Sequence, residues 1–170
     1  MSHAENKLKW CLDKAKKEIE QGRNHRGLIK KKPDMEEARN HIAKAEHDLA
    51  AISYMEKGGF SDWSMGAAFY SMYHCFLAIS EKFGYESRNQ ECTIALVRFL
   101  KECGEIDFDE KFIKALEVYS SEKKEENNVT EKREFYAYGT TTAVKNKEEI
   151  KRGIELCKEC IAQTKRVIFE

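Results

Sequence analysis

From Ala67 to Gln90 the chain reads AAFYSMYHCFLAISEKFGYESRNQ, and the apolar residues around this stretch fall on two helical stripes rather than one. Trp63, Ala67, Tyr70, His74 and Leu77 repeat at helical spacing, and Met65, Phe69, Met72, Phe76 and Phe83 run beside them. A surface helix needs one apolar stripe. A helix with two belongs at the centre of its domain, covered by several neighbours, and this one carries tyrosine hydroxyls and an imidazole among them.

The rest of the chain suits such a centre. One proline, Pro33, and nine glycines interrupt 170 residues, which favours long helices over a many-turned sheet. The length fits one compact domain with a real core. No apolar run approaches the ~20 residues that span a bilayer, and the amino terminus lacks the basic-then-apolar order of a signal peptide, so a cytoplasmic protein is expected. Cys11, Cys75, Cys92, Cys103, Cys157 and Cys160 mostly continue apolar stripes, where a reduced thiol acts as a small hydrophobe; no disulfide framework is expected.

The formal charge is zero but unevenly spread. Residues 1–33 hold ten Lys/Arg against four acids, whereas residues 105–134 hold ten acids against six bases. This asymmetry can steer an anionic partner to one end or bring two subunits together; a solvated helix face with a basic loop explains it equally.

Leu8, Leu12, Ala15 and Ile19 make a first short helix that stops at Gly22, followed by the loop GRNHRGLIKKKP. Asp34 with Glu37 reads as a capping pair ahead of Ile42, Ala45, Leu49 and Ile52, and Gly58 and Gly59 end that helix. The central helix opens near Ser61 and closes at Gly84. Ser87 with Gln90 caps a helix carrying Cys92, Leu96, Phe99 and Cys103, and Asp107 with Glu110 caps one carrying Phe112, Leu116 and Tyr119. After the polar SSEKKEENN and the aromatic REFYAYG, the residues Ile150, Ile154, Cys157, Ile161 and Ile168 line a long last helix. No sustained alternation argues for strands. The expected fold is all-α, an antiparallel bundle of five to six helices, with residues 1–33 as a basic helix and loop flanking a bundle of residues 34–170.

His74 can serve as acid, base or ligand, or as a core histidine bonded to Tyr70 or to a carboxylate on a facing helix. His41 and His47 lie six apart and do not share a face as a metal pair would. Cys157 and Cys160 form a lone CxxC inside a helical stripe, with neither the second pair zinc wants nor the strand a redox motif wants. No metal or cofactor is expected. The loop from Gly22 to Lys32 combines Arg23, Arg26 and Lys30 as a point-charge cluster for phosphates, or is a basic linker. Arg133, Phe135, Tyr136 and Tyr138 either stack bases and hold phosphate or plug the end of the bundle.

The runs FYSMYHCFLA, GYESRNQECTIAL and KREFYAYG, in this order, resemble the HEPN domain. The resemblance rests on the aromatic-aromatic-small-Met-aromatic-His run, the Gly-led turn into the next helix, and the Arg followed by aromatics before the last helix. It implies a helical bundle that dimerises, is often encoded beside a minimal nucleotidyltransferase as a toxin-antitoxin pair, and in many branches is a metal-independent ribonuclease. Those ribonucleases use an arginine followed four to six residues later by histidine, and no arginine of this chain is so placed. Where related sequences open the helix after the Gly-led turn with histidine, this chain has Gln90, which cannot exchange a proton at neutral pH.

The resulting expectation is a non-catalytic or weakly catalytic HEPN-like protein that binds a nucleotide, RNA or a nucleotidyltransferase partner. Its expected surface joins Tyr70, His74, Arg88, Gln90, Arg133, Tyr136 and Tyr138. Two other functions compete with it: a ribonuclease pairing His74 with an arginine from another segment or subunit, and a structural protein-interaction module.

Overall fold

The computed structural model describes residues 2–117 and 128–170. Among these residues the chain forms seven helices and one two-stranded sheet. In order they are α1 (His3–Glu20), β1 (Leu28–Lys30), α2 (Met35–Lys57), α3 (Ser61–Lys82), β2 (Tyr85–Ser87), α4 (Gln90–Glu102), α5 (Glu110–Leu116), α6 (Val129–Tyr138) and α7 (Lys147–Phe169). The architecture is the expected all-α bundle. The seventh helix is α6, where the aromatic segment folds into helical turns capped by Asn128. Tyr119 and the polar residues 120–127 lie outside the described residues.

Helix α3 is central, packed against α2, α4, α5, α6 and α7. Its covered faces differ from expectation in one respect. Met65, Phe69, Met72 and Phe76 are buried as the second stripe requires, but the Trp63–Tyr70 stripe is not covered: Trp63 is 63% exposed and Tyr70 49%. The other buried face is made of Ser64, Ala68, Ser71, Cys75 and Ala78. Side chains this small let α2 and α7 approach closely. The Ser64 hydroxyl donates to the Ile52 carbonyl at 3.0 Å, the Ser71 hydroxyl to the Ala45 carbonyl at 2.8 Å, and the Cys157 thiol approaches the Ala68 carbonyl at 3.5 Å. A buried hydroxyl that finds a backbone acceptor avoids the cost of an unmade hydrogen bond. Phe76, Phe108 and Phe112 close the core in tilted and edge-on contacts.

The caps follow the predicted logic with shifts. Asp34 accepts from the Glu37 amide at 2.9 Å, as read. At the next two starts the cap lies two residues later: Asn89 rather than Ser87 accepts from the Cys92 amide, and Asp109 rather than Asp107 accepts from the Lys111 amide. Ser87 belongs instead to β2, which pairs antiparallel with β1 in the register Leu28↔Ser87, Ile29↔Glu86, Lys30↔Tyr85. Strands of three residues are too short for alternation to betray them. Gly84 makes this pairing possible, for it sits at φ +74° and a Cβ there would stand 2.6 Å from the Lys31 carbonyl oxygen.

The first helix also corrects the sequence reading. It is 18 residues long, and its buried seam is Ala4, Leu8, Cys11 and Ala15, with Ile19 half exposed. Cys11 is bonded to Cys92 at the start of α4, so two of the six cysteines form a disulfide where none was expected. The pair is 81 residues apart in sequence and meets only because α1 lies on α4. Cys75, Cys157 and Cys160 are free and buried, and Cys103 is free and exposed.

Candidate functional site

Four of the expected site residues converge on one cleft. Tyr70 comes from α3, and Arg133, Tyr136 and Tyr138 come from α6; Trp63, His47 and Asp48 complete the walls, and Thr140, Thr141 and Thr142 follow α6 along the rim. The space is about 620 Å³, within the range of small-ligand clefts. It exists because, among the described residues, no helix covers Trp63 and Tyr70 of α3, while α6 packs beside them.

Arg133 is held rather than free to wander. Its guanidinium lies 4.0 Å from the ring centre of buried Phe69, and one Nη sits 3.4 Å from the Glu134 carboxylate. An arginine on an aromatic face keeps its N–H edge available for an anion. Burial and the nearby Glu149 carboxylate push the Tyr136 hydroxyl above its ordinary value, so it stays protonated and can donate.

His74 stands one turn along α3 from Tyr70 and meets a partner the sequence concealed. Its Nδ1 is 2.9 Å from the Nδ1 of His41 on α2. Its Nε2 lies 3.9 Å from the Asp48 carboxylate, and the Nε2 of His41 lies 3.9 Å from Glu37. The core reading of His74 named a facing carboxylate or Tyr70; the carboxylate is Asp48, itself bonded to Lys44 at 2.5 Å. One ring must donate through Nδ1 and the other accept, so the pair holds at most one proton between its inner nitrogens. Burial pulls His41 below the ordinary histidine value, aided by the His74 charge and against Glu37. Burial also lowers His74, against the pull of Asp48. The α2–α3 crossing that brings His41 to His74 follows from the seam residues, but the contact itself leaves no periodic mark in the sequence.

The remaining expected residues lie elsewhere. Arg88 and Gln90 follow the far end of α3, and that end is about 18 Å along the helix axis from Tyr70. A single pocket joining all seven residues does not form. Arg88 Nε bonds Glu86 at 2.8 Å, and buried His25 contacts the same carboxylate at 3.2 Å. Arg23, Arg26 and Lys30 sit near this strand pair and are exposed, Lys30 resting 5.9 Å from the Tyr85 ring centre. Gln90 is the first residue of α4.

Cys157 and Cys160 lie buried on α7 beside Cys75. Burial pushes the Cys157 thiol up to about 12 and raises Cys160 as well, so both stay protonated and are poor nucleophiles. Among the described residues no group of three or more His, Cys, Asp or Glu could hold a metal, and no helix is long and apolar enough to cross a membrane.

The HEPN domain matches residues 38–168, from the first turn of α2 to the last of α7. The chain belongs to the HEPN domain family. The match spans α3, the cleft and the histidine pair, while α1 and β1 fall before it. Family membership supports a nucleotide- or RNA-related role in general. No curated protein matches the chain.

Proposed function

We propose that this HEPN protein binds a nucleotide or RNA and does not cleave it. The observation that carries the reading is the convergence of Tyr70, Arg133, Tyr136 and Tyr138 on one cleft of about 620 Å³. In this reading the exposed tyrosines and Trp63 stack a base, and Arg133, lining the cleft, donates to a phosphate oxygen. The basic residues around the two-stranded sheet, Arg23, Arg26, Lys30 and Arg88, contact phosphates of a strand longer than the cleft, while Gln90 lends a neutral hydrogen bond there. His74 shapes the inner side of the cleft through Asp48 rather than touching the base. A cytoplasmic homodimer, partnered by a minimal nucleotidyltransferase, accords with this role.

The test is binding and cleavage of labelled RNA and adenine nucleotides in EDTA. Binding without cleavage, weakened in Tyr70→Ala and Arg133→Ala, supports the reading. Binding that survives both changes sinks it.

The histidine pair favours a second reading, a metal-independent ribonuclease. Two imidazoles in contact, each about one-fifth exposed, can place a base and an acid within one reaction site. That reading expects cleavage in EDTA that disappears in both His74→Ala and His41→Ala.

A further inference from the structure

The first helix docks on α4 and β1 through a narrow seam that the disulfide crosses. The seam contains Leu8 among Ala4, Cys11 and Ala15, with Leu12 partly buried beside it, and the surface ion pair Lys7–Glu91 at 2.8 Å lies next to the bond. Such a pair contributes little by itself. Cys11 stands before the HEPN match and Cys92 inside it, so the bond joins the preceding segment to the matched domain. The segment continues into β1 and its pairing with β2. A Cβ on Gly27 would stand 2.5 Å from the Cys11 carbonyl oxygen, Leu28 is fully buried, and the Arg88 amide donates to the Gly27 carbonyl at 3.0 Å. Lifting α1 therefore uncovers Leu28 and loosens the loop that carries Arg23 and Arg26.

Both bonded cysteines are wholly buried. A reductant reaches sulfur only when α1 opens, and α1 opens readily only when the bond is cut. This coupling makes the closed form slow to reduce and shifts its reduction potential by the free energy of docking α1. The other thiols do not blur this coupling, since Cys75, Cys157 and Cys160 are shut inside the core and Cys103 is at the opposite end of α4 from Cys92.

We propose that Cys11–Cys92 is a redox-responsive staple: closed, it holds α1 and β1 on the HEPN bundle; opened by a small thiol or dithiol, it releases them. The thiolate of the reductant attacks one Sγ and forms a mixed disulfide, and the other cysteine leaves as a thiolate that takes up a proton. A second reductant thiolate then displaces the first cysteine. The protein gains two electrons and two protons, and the reductant leaves as its disulfide. Glutathione disulfide drives the reverse exchange.

The experiment uses the full chain, with no nucleotide present, so its outcome is independent of the binding function. Denatured in maleimide after incubation with glutathione disulfide, each chain labels at four thiols, or at three where exposed Cys103 carries glutathione, and after dithiothreitol and its removal at six. Amide exchange in α1 and β1 quickens by about tenfold or more on reduction, while α3 and α7 are unchanged. Leu8→Ala, which loosens the seam, speeds reduction of the native protein by about tenfold. Six labelled thiols after oxidation overturn the proposal. So does α1 protection that is equal in the oxidised and reduced proteins, a comparison that needs no variant to fold.

Discussion

At one end of the α2–α3 pair the chain is fastened on every side. A disulfide ties α1 to α4, Gly84 lets β2 turn back beneath Lys31, and Lys31 meets the buried Glu81 carboxylate at 2.5 Å. At the other end the same two helices join through the turn 58–60, and α6 beside α3 leaves Trp63, Tyr70 and Tyr138 in solvent beside a fixed arginine. The fastened end is basic and conformationally costly to disturb; the open end is aromatic and can lose side chains with little harm to the fold. In the proposed function base stacking falls at the open end and only phosphate contacts at the fastened one, so stability and base recognition separate along one pair of helices, and the separation can be tested by substitution.

The largest effect is expected at the fastened end. Reducing the disulfide, or replacing it with Cys11→Ser and Cys92→Ser together, lowers unfolding free energy by about 4 kcal/mol, because a loop of this length regains its closure entropy in the unfolded chain. Urea titration of the oxidised and reduced proteins measures it. Gly84→Ala comes next, at about 2 kcal/mol, since it demands a left-handed backbone of an L residue and drives a Cβ into the Lys31 carbonyl. A loss below ~0.5 kcal/mol would show that the strand pair relaxes and that this end is less rigid than drawn.

At the open end the order of effects reverses. Tyr70→Ala is expected to weaken nucleotide or RNA binding by about 1–3 kcal/mol, the worth of one stacked base, while Tyr138→Ala moves the urea midpoint by no more than ~0.5 kcal/mol equivalent. Fluorescence anisotropy and urea titration on the same preparations read the two quantities. A variant that loses stability and binding together would erase the contrast.

The smallest effect belongs to the middle of the pair. His41 and His74 titrate below their ordinary 6.5 in the fold, so the unfolded chain binds more protons as pH falls through that value. Their contribution is therefore intact at neutral pH and is lost as pH drops from about 6.5 toward the depressed folded values. Thermal melts between pH 7.5 and 5 should show this slope in the native protein and a flatter one in His41→Gln/His74→Gln.

How much of this was legible follows from the kind of interaction involved. The Asp34 cap, the Gly84 stop and the central place of α3 are local or periodic, and both kinds of signal survive in one sequence. Helix α6 did not announce itself because its aromatics are scattered around the helix, with only Val129 and Thr130 fully buried. The Cys11–Cys92 bond and the His41–His74 contact join segments 81 and 33 residues apart, and such pairings are fixed by how helices cross. The cleft was half legible. The chemistry of Tyr70 and the α6 residues marks them in the sequence, but nothing local tells that the length of α3 separates Arg88 and Gln90 from them.

The two serine bonds between α3 and α2 have one more consequence. Ser64 and Ser71 are spaced by seven residues, as are their acceptors Ala45 and Ile52, and the order runs in opposite directions on the two helices. They act as two pegs driven through adjacent rails. One peg alone would let the rails pivot; two forbid both pivoting and sliding by a turn. The gap in which the imidazoles face each other, and the width of the aromatic mouth beyond them, are then set like the jaws of a locked caliper.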